Sequence, residues 1–200
     1  MFMDVKESLK KFWAFLQEDS WQSWVVSLIL IIIIIKFVFF PLLSFVTGTT
    51  LPLVVVESCS MYHESNFETW WGQNGAYYES RNITKEQFYD FKMKNGLNKG
   101  DILIVTGENE PEIGDIIVFE AKSRHPLIHR IISLDPTGTK GDHNTAQLVL
   151  GNNQYGIDET SINQEQIIGK ASFKVIPLLG WIKLIWFEPL RPASDRGFCR

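Results

Sequence analysis

A long apolar run near the N-terminus constrains this chain more than any other feature of its sequence. Residues 24–40 are apolar except for Ser27 and Lys36, and the apolar character resumes after Pro41 as far as Val46. The hydrocarbon core of a bilayer is about 30 Å thick and is crossed by about 20 residues in a helix. The run therefore predicts one transmembrane helix.

The anchor is predicted over residues 21–46 and is expected to stay on the protein. The alternative is a cleaved signal peptide, whose apolar region has about 7–15 residues before a small-residue cleavage site. This run is longer, and the segment 37–41, Phe-Val-Phe-Phe-Pro, offers no such site. A retained anchor therefore fits the sequence better than a cleaved leader.

Lysines give the direction of the predicted anchor. Lys6, Lys10 and Lys11 precede it, whereas the next basic residue after it is Arg81. Basic residues favour the cytoplasmic side of a membrane, so the N-terminus is predicted in the cytoplasm and the rest of the chain outside. Residues 1–20 are expected to form a cytoplasmic amphipathic segment that rests on the inner leaflet.

The composition of the remaining chain narrows its class. About 150 residues follow the anchor, enough to bury a sizeable core. The formal net charge is −4 and no basic stripe is present, so nucleic acid is not an expected partner. Cys59 and Cys199 have no metal-ligand spacing, and the sequence does not establish a bridge between them. The tail at 191–200 is predicted to be disordered.

The domain over residues 47–190 is predicted to be mainly β. Short apolar runs between turn residues favour a compact, antiparallel, barrel-like β domain with few helices. The predicted strands cover residues 53–57, 101–105, 115–119, 127–134, 147–150 and 167–176. A polar, aromatic insertion at 62–99 contains one predicted helix, about residues 85–94, with a capping box at Thr84. A lid, a partner surface and a simple loop all fit this insertion.

A second apolar segment lies near the end of the domain. Residues 177–187 are apolar but too short to span a bilayer as a helix. We expect an interfacial segment with Trp181 and Trp186 at the level of the lipid headgroups. The sequence leaves open whether this segment enters the bilayer.

Three residues of the predicted outer domain form a candidate hydrolytic site. Ser60 follows the first predicted strand, His129 lies in an apolar strand, and Asp142 follows Lys140 and Gly141. A serine hydroxyl becomes nucleophilic when an adjacent base takes its proton, and histidine suits that task at neutral pH. Asp142 would hold the imidazole in the useful tautomer. The pattern predicts a serine peptidase with Ser60 as nucleophile and His129 as general base.

Six short segments resemble type I signal peptidases, specifically the archaeal and endoplasmic-reticulum type, which uses histidine where bacterial relatives use lysine. Residues 58–61, Ser-Cys-Ser-Met, resemble the box around the nucleophile, and residues 128–131, Ile-His-Arg-Ile, resemble the general-base box. Residues 139–144, Thr-Lys-Gly-Asp-His-Asn, resemble the acidic box. Two further segments, residues 99–102 and 114–119, resemble the family's Gly-Asp strand boxes. The last resembles its closing strand and consists of residues 168–170 followed by 176–181. The resemblance covers about residues 53–183.

The resemblance implies a membrane-bound serine endopeptidase that removes signal peptides from exported preproteins after small-x-small sites. It also implies the Ser58 hydroxyl as a donor to the oxyanion. Signal-peptide-bearing preproteins and the lipid bilayer are the expected partners, and the protein translocation machinery is a further candidate. The expected location is the cell membrane, single-pass, with the catalytic domain on the outer face.

Three positions depart from the family pattern. Cys59 stands where glycine is usual, His63 where proline is usual, and Leu148 where a second aspartate often occurs. Asp142 would then carry the acidic role alone, or another carboxylate such as Asp158 would substitute. The same departures support a rival interpretation, a non-catalytic membrane-anchored β module that binds secreted chains or a translocation complex.

Other chemistries fit the sequence less well. A lysine base would have to be Lys122, Lys140 or Lys170, and a metal would need histidines such as His125 and His129. No glutamate completes a zinc-enzyme motif, so no metal and no cofactor are expected. A processing protease for pilin-like or surface-layer precursors is a third functional interpretation.

Overall fold

The computed structural model describes residues 2–107, 110–121, 125–153 and 156–200, with side chains from residue 5 onward. The chain divides into two compact units, an N-terminal one that ends at Val46 and a second one that begins at Thr47. All the described strands lie in the second unit.

The N-terminal unit consists of helices. Helix α1 is Phe2–Leu16, and helix α2 is Trp21–Ile34. A π-helical turn, Ile35–Phe39, and helix α3, Phe40–Thr47, continue α2 without a break. The resulting helix, Trp21–Thr47, has 27 residues, and an 18-residue stretch within it has a mean hydropathy of 3.0, so it is long and apolar enough to cross a membrane. It occupies the place of the predicted anchor.

Pro41 accounts for the π-helical turn. Proline has no N–H to donate, and its ring collides with the carbonyl four residues earlier, here that of Phe37. A π-helical turn widens the helix before the proline, and the Phe40 N–H reaches back to the carbonyl of Ile35. The apolar helix can therefore continue through the proline.

Six antiparallel strands form one sheet in the second unit. They are β1 (Leu53–Val55), β2 (Ile102–Thr106), β3 (Ile116–Phe119), β4 (Leu127–Leu134), β5 (Thr137–Lys140) and β6 (Ile167–Ile176). Their order is β1-β2-β6-β3-β4-β5, so β1 and β5 are the edges. Register shifts between β2 and β6 mark bulges, which bend a sheet. The mainly antiparallel β fold is as predicted, but the described strands form a half-barrel that does not close into a barrel.

The strand predicted at residues 147–150 is wrong, because this segment is a loop. The Gln147 side chain donates to the carbonyls of Thr139 and Glu159. The Leu148 N–H donates to the Glu159 carboxylate. Hydrogen bonds made by the side chains of Gln147 and Glu159 thus take the place of the regular backbone ladder that a strand would need. Strand β5, Thr137–Lys140, is not among the strands predicted from the sequence.

The insertion at 62–99 contains two helices packed around aromatic side chains. Helix α4 is Phe67–Glu79, in a stretch whose glycines suggest turns, and helix α5 is Lys85–Asp90, shorter than predicted. A Cβ at Gly75 would lie 2.5 Å from the Trp71 indole nitrogen, so this glycine makes room for the ring. The buried cluster comprises Phe67, Trp70, Trp71, Tyr78, Ile83, Phe88 and, from β4, Ile132. The insertion is thus a hydrophobic core that supports β4.

The last ten residues, predicted to be disordered, pack against the rest of the second unit. The Lys99 ammonium donates to the backbone carbonyls of Asp195 and Gly197. Cys199 forms a disulfide with Cys59. A polar composition favours disorder only where nothing binds the segment, and here a buried lysine and a covalent bridge hold it.

Candidate active site

Strands β1 and β4 bring the predicted nucleophile and the predicted base together. Ser60 lies in the turn that follows β1, and His129 lies in β4. The Ser60 Oγ is 2.8 Å from the His129 Nε2. His129 is buried, whereas Ser60 stays partly exposed and accessible to a substrate. A hydroxyl and an imidazole at this distance have the geometry of a nucleophile and its general base.

Glu159, which is not among the site residues predicted from the sequence, lies on the other side of the imidazole. Its buried carboxylate accepts a hydrogen bond from the His129 Nδ1. A carboxylate only accepts, so Nδ1 carries the proton and Nε2 is left to accept from the Ser60 hydroxyl. The Thr139 hydroxyl, at 3.2 Å, and the Leu148 N–H, at 2.7 Å, fix the carboxylate in place.

The alternation of side chains in an extended segment is the signal that could have found Glu159. Ile157 and Glu159 are buried, whereas Asp158 between them is exposed. Residues two apart in an extended chain share a face, so an inward Ile157 predicts an inward residue 159. Asp158, which the sequence offers as a substitute carboxylate, instead bonds to Thr160 at the surface.

Asp142 does not contact His129, which corrects the orienting role predicted for it. Its Oδ1 accepts from the Tyr78 hydroxyl and the Arg130 Nε, both at 3.0 Å. Its Oδ2 accepts from the His63 Nε2 at 3.1 Å and the Arg130 Nη2 at 2.8 Å. Adjacent residues of a strand point to opposite faces, so Arg130 projects away from the His129 side of β4. Asp142 lies on the Arg130 side.

The Arg130 guanidinium connects this buried carboxylate to three backbone carbonyls. Besides Asp142, it donates to the carbonyls of Gly114 at 2.8 Å, Lys92 at 3.1 Å and Met93 at 3.0 Å. Arg130 and Asp142 are both fully buried. The pair therefore joins β4, the insertion and the end of β5 in one hydrogen-bonded network.

Burial and charge shift the ionisation of the groups in this network. Burial alone would raise the pKa of Asp142, but the Arg130 charge and the hydrogen bonds from His63 and Arg130 hold that pKa far below its ordinary value. Burial lowers the pKa of His63, so this histidine is neutral at pH 7 and donates its Nε2 proton to Asp142. The His63 ring stacks on Trp70 with the ring centroids 3.7 Å apart.

The backbone on either side of Asp142 supports the serine. The His143 N–H donates to the Ser60 carbonyl at 2.8 Å. A Cβ at Gly141 would lie 2.7 Å from the Ser60 carbonyl oxygen and 2.9 Å from the His129 Nε2, so only glycine fits there. Asp142 thus anchors a loop in which His143 hydrogen-bonds to the Ser60 carbonyl and Gly141 leaves room for it.

Ser58, the predicted oxyanion donor, lies beside the serine. Its Oγ is 3.0 Å from the Ser60 Oγ, and its side chain is exposed. A hydroxyl here is close enough to reach an oxygen that develops negative charge next to Ser60. The oxyanion role stays a prediction.

The lysines considered as alternative bases bind elsewhere or lie outside the described residues. Burial lowers the pKa of Lys140 to about 8, a value that would suit a general base. Its ammonium, however, donates to the carbonyls of Gly141 and Asp142 rather than to Ser60. Lys170 forms an ion pair with Asp115 at 2.9 Å. Lys122 lies outside the described residues.

In the part of the chain that the structure describes, three or more His, Cys, Asp or Glu side chains nowhere come together in a way that suits a metal ion. His63 and His129 each bond to a different buried carboxylate.

Replacement of Asp142 by asparagine is expected to destabilise the second unit by about 3–5 kcal/mol, because it leaves the buried Arg130 charge without its partner. For a unit of this size the loss corresponds to a fall in Tm of about 6–20 °C. Tryptophan fluorescence of the full-length protein in detergent during heating would measure it.

Glu68→Gln is the matched control for this substitution. It removes one charge from the pair with Lys85, which is largely exposed, so its cost is about 0–1 kcal/mol. Equal Tm values for the Asp142 and Glu68 variants would contradict the structural role assigned to Asp142.

A serine, a histidine and a carboxylate in one hydrogen-bonded row have the arrangement of a serine-hydrolase triad, which is recognised by geometry and not by order in the chain. No protein-family model matches this chain. The chain is similar to the signal peptidase complex catalytic subunit SEC11 of Eremothecium gossypii, with 28% identity over 105 residues. The match covers 48% of this chain and 61% of that relative. This weak similarity supports a signal peptidase I-like family.

Proposed function

We propose that this protein is a membrane-anchored serine endopeptidase that removes signal peptides from exported preproteins. The observation that carries the proposal is the 2.8 Å contact between the Ser60 Oγ and the His129 Nε2, with Glu159 behind the imidazole. The similarity to a signal peptidase catalytic subunit supports the substrate class.

The residues of the site can divide the reaction into two steps. Ser60 attacks the carbonyl of the cleaved bond while His129 takes its proton, and the same proton then passes to the leaving amine. Glu159 holds the imidazole tautomer and stabilises the imidazolium that forms. The Ser60 backbone N–H and the Ser58 hydroxyl stabilise the oxyanion. Water then attacks the acyl-enzyme while His129 takes a proton from it, and His129 returns that proton to the Ser60 Oγ as the ester bond breaks.

The substrate is proposed to bind along β1. This strand is an edge of the sheet, so the backbone groups on its outer side can pair with an extended peptide. A peptide paired with β1 would bring a bond near its end to Ser60, because the serine follows the strand by only a few residues. Small side chains in the substrate, at the positions just before the cleaved bond, would match the small-x-small pattern of signal-peptide cleavage sites.

The second unit is proposed to face the outside of the cell membrane. Lysines before the anchor favour a cytoplasmic N-terminus. The disulfide between Cys59 and Cys199 supports the same orientation, because disulfides persist in oxidising compartments and are rare in the cytosol.

Exposed apolar side chains near the C-terminus are proposed to lie on the lipid surface. Trp186, Ile182 and Leu190 are 78%, 69% and 82% exposed. Of the two tryptophans expected at the level of the lipid headgroups, Trp186 is exposed enough to contact lipid. Trp181 donates its indole N–H to the Lys99 carbonyl and packs within the domain.

The proposal is tested with the full-length protein in liposomes and a preprotein that carries an Ala-x-Ala site. We expect one cut directly after the second alanine, located by N-terminal sequencing of the product. A preprotein with tryptophan in place of that alanine is the matched control and should stay intact. If the protein bound both preproteins and cleaved neither, the result would contradict the peptidase proposal and favour the non-catalytic binding module.

A further inference from the structure

A disulfide joins the C-terminal tail to the residue directly before the predicted nucleophile. Cys59 lies between Ser58 and Ser60, and its partner Cys199 follows 140 residues later in the chain. The two Cα atoms are 5.5 Å apart. The bridge thus attaches the end of the chain to the turn that presents the serine.

The tail also binds Glu57, two residues before the bridge. The Arg191 guanidinium donates to the Glu57 backbone carbonyl at 2.8 Å and to its carboxylate at 2.7 Å. The neighbouring Val56 pairs inward, since its N–H donates to Asp101 and its carbonyl accepts from Gly100. Backbone groups alternate in direction along a strand, so the Glu57 carbonyl points to the outer side, where Arg191 meets it.

A buried lysine attaches the tail to the segment that pairs with Val56. The Lys99 ammonium is 2.7 Å from the Glu188 carboxylate, 2.7 Å from the Asp195 carbonyl and 3.1 Å from the Gly197 carbonyl. The Lys99 side chain is only 1% exposed. The tail is therefore fixed to both backbone segments that meet at the end of β1.

The tail holds the serine turn without covering it. Ser58 remains exposed and Ser60 remains partly exposed while the bridge is closed. The Ser60–His129 contact is also formed with the bridge closed. An inhibitory plug would bury the serine or separate it from its base, and neither is observed.

We propose that the Cys59–Cys199 disulfide is a redox-dependent clamp that keeps Ser60 in position against His129. This inference rests on the proposed peptidase function. A dithiol reductant supplies two electrons and two protons, so the bridge becomes two thiols and the reductant becomes a cyclic disulfide. The turn that carries Ser60 then loses its covalent attachment, and the nucleophile leaves its productive position for part of the time. Since displacements of about 1 Å can cost about 100-fold in rate, kcat is expected to fall about 10- to 100-fold.

The test uses the full-length protein in detergent and the Ala-x-Ala preprotein. The kinetic constants are measured for the oxidised protein, after dithiothreitol, after reoxidation, and for Cys199→Ser with and without dithiothreitol. Maleimide labelling counts the free thiols in each sample. We expect reduction and Cys199→Ser to lower kcat about 10- to 100-fold with KM changed less than about twofold. Reoxidation should restore kcat in the wild-type protein but not in Cys199→Ser. Dithiothreitol should not lower kcat of the variant any further.

Hydrogen exchange of the peptide spanning residues 56–61 provides a readout that does not need activity. Exchange in this peptide should accelerate on reduction, at a temperature well below Tm. Unchanged hydrogen exchange and unchanged kcat in a fully reduced sample would overturn the proposed clamp. An increase in kcat on reduction would also overturn it, because the attached tail would then be inhibitory. An oxidised protein that cleaves nothing would overturn the proposed function, while the exchange measurement would still decide whether the bridge orders the serine turn.

Discussion

Replacement of Ser60 by alanine is expected to lower kcat for preprotein cleavage by about a millionfold, the cost of removing the nucleophile from a serine protease. The Ser60 hydroxyl is the group that the His129 Nε2 meets at 2.8 Å, and alanine leaves the base with nothing to activate. KM should change little, because an edge strand would bind the peptide through its backbone. Single-turnover cleavage with excess full-length enzyme would measure the remaining rate.

Ser65→Ala is the matched control for the nucleophile. Ser65 lies a few residues further along the same segment, and its exposed hydroxyl donates to the neighbouring Asn66 carbonyl. We expect its kcat to stay within about twofold of the natural protein, as for a surface substitution away from the site. Equal activity in the Ser60 and Ser65 variants would assign the cleavage to another nucleophile or to a contaminant.

Glu159→Gln is expected to lower kcat by about 10⁴-fold while the protein stays folded. The amide has the shape of the carboxylate but offers a donor as well as an acceptor. It can therefore stabilise the tautomer whose Nε2 carries the proton, which cannot accept from Ser60. In a known serine protease, the corresponding change from acid to amide costs about 10⁴-fold in kcat. Steady-state kinetics with the Ala-x-Ala preprotein would measure the effect, and Tm would show that the fold is retained.

Asp158→Asn is the control for this variant, because Asp158 is exposed and bonds to Thr160 instead of the histidine. Its kcat should be close to that of the natural protein. The Asp142 variant provides a further comparison. Full activity of Glu159→Gln beside an inactive but folded Asp142→Asn would return the orienting role to Asp142.

The sequence predicts the serine and the histidine of the site more easily than the acid. Ser60 and His129 each stand in a short segment that resembles a family box, and the structure brings the two side chains into contact. Glu159 stands outside every such segment, in a loop whose path depends on long-range hydrogen bonds. Those bonds join it to Thr139, Gln147 and Leu148. The local alternation around Ile157 predicts an inward side chain at residue 159 but does not specify these partners.

The three departures from the family pattern each have a partner in the structure. Cys59 forms the disulfide to the tail, and His63 donates to the buried carboxylate of Asp142. Leu148, where the sequence lacks an expected aspartate, donates its N–H to the carboxylate that contacts His129. These positions were the best sequence support for a non-catalytic module. Their contacts are compatible with a working site in which a glutamate from another loop replaces the aspartate.

Elements of the fold that depend on nearby residues can be predicted from the sequence. Elements that depend on contacts with distant residues are harder to predict. The apolar helix and most strands follow from hydrophobic runs between turn residues. Helix α4 was missed because Gly72 and Gly75 usually signal turns, whereas here Gly75 makes space for Trp71 within the helix. The order of the tail was missed because its ordering depends on Lys99 and Cys59, residues more than 90 positions away.

The most direct test of the central claim is to identify the residue that the reaction modifies. The full-length protein would be treated with a fluorophosphonate peptide ending in Ala-x-Ala, digested, and mapped by mass spectrometry. A triad built on Ser60, His129 and Glu159 predicts one phosphonate on Ser60, with labelling lost in Glu159→Gln and kept in Asp158→Asn. Labelling of another residue, or none at all while the preprotein is still cleaved, would contradict it.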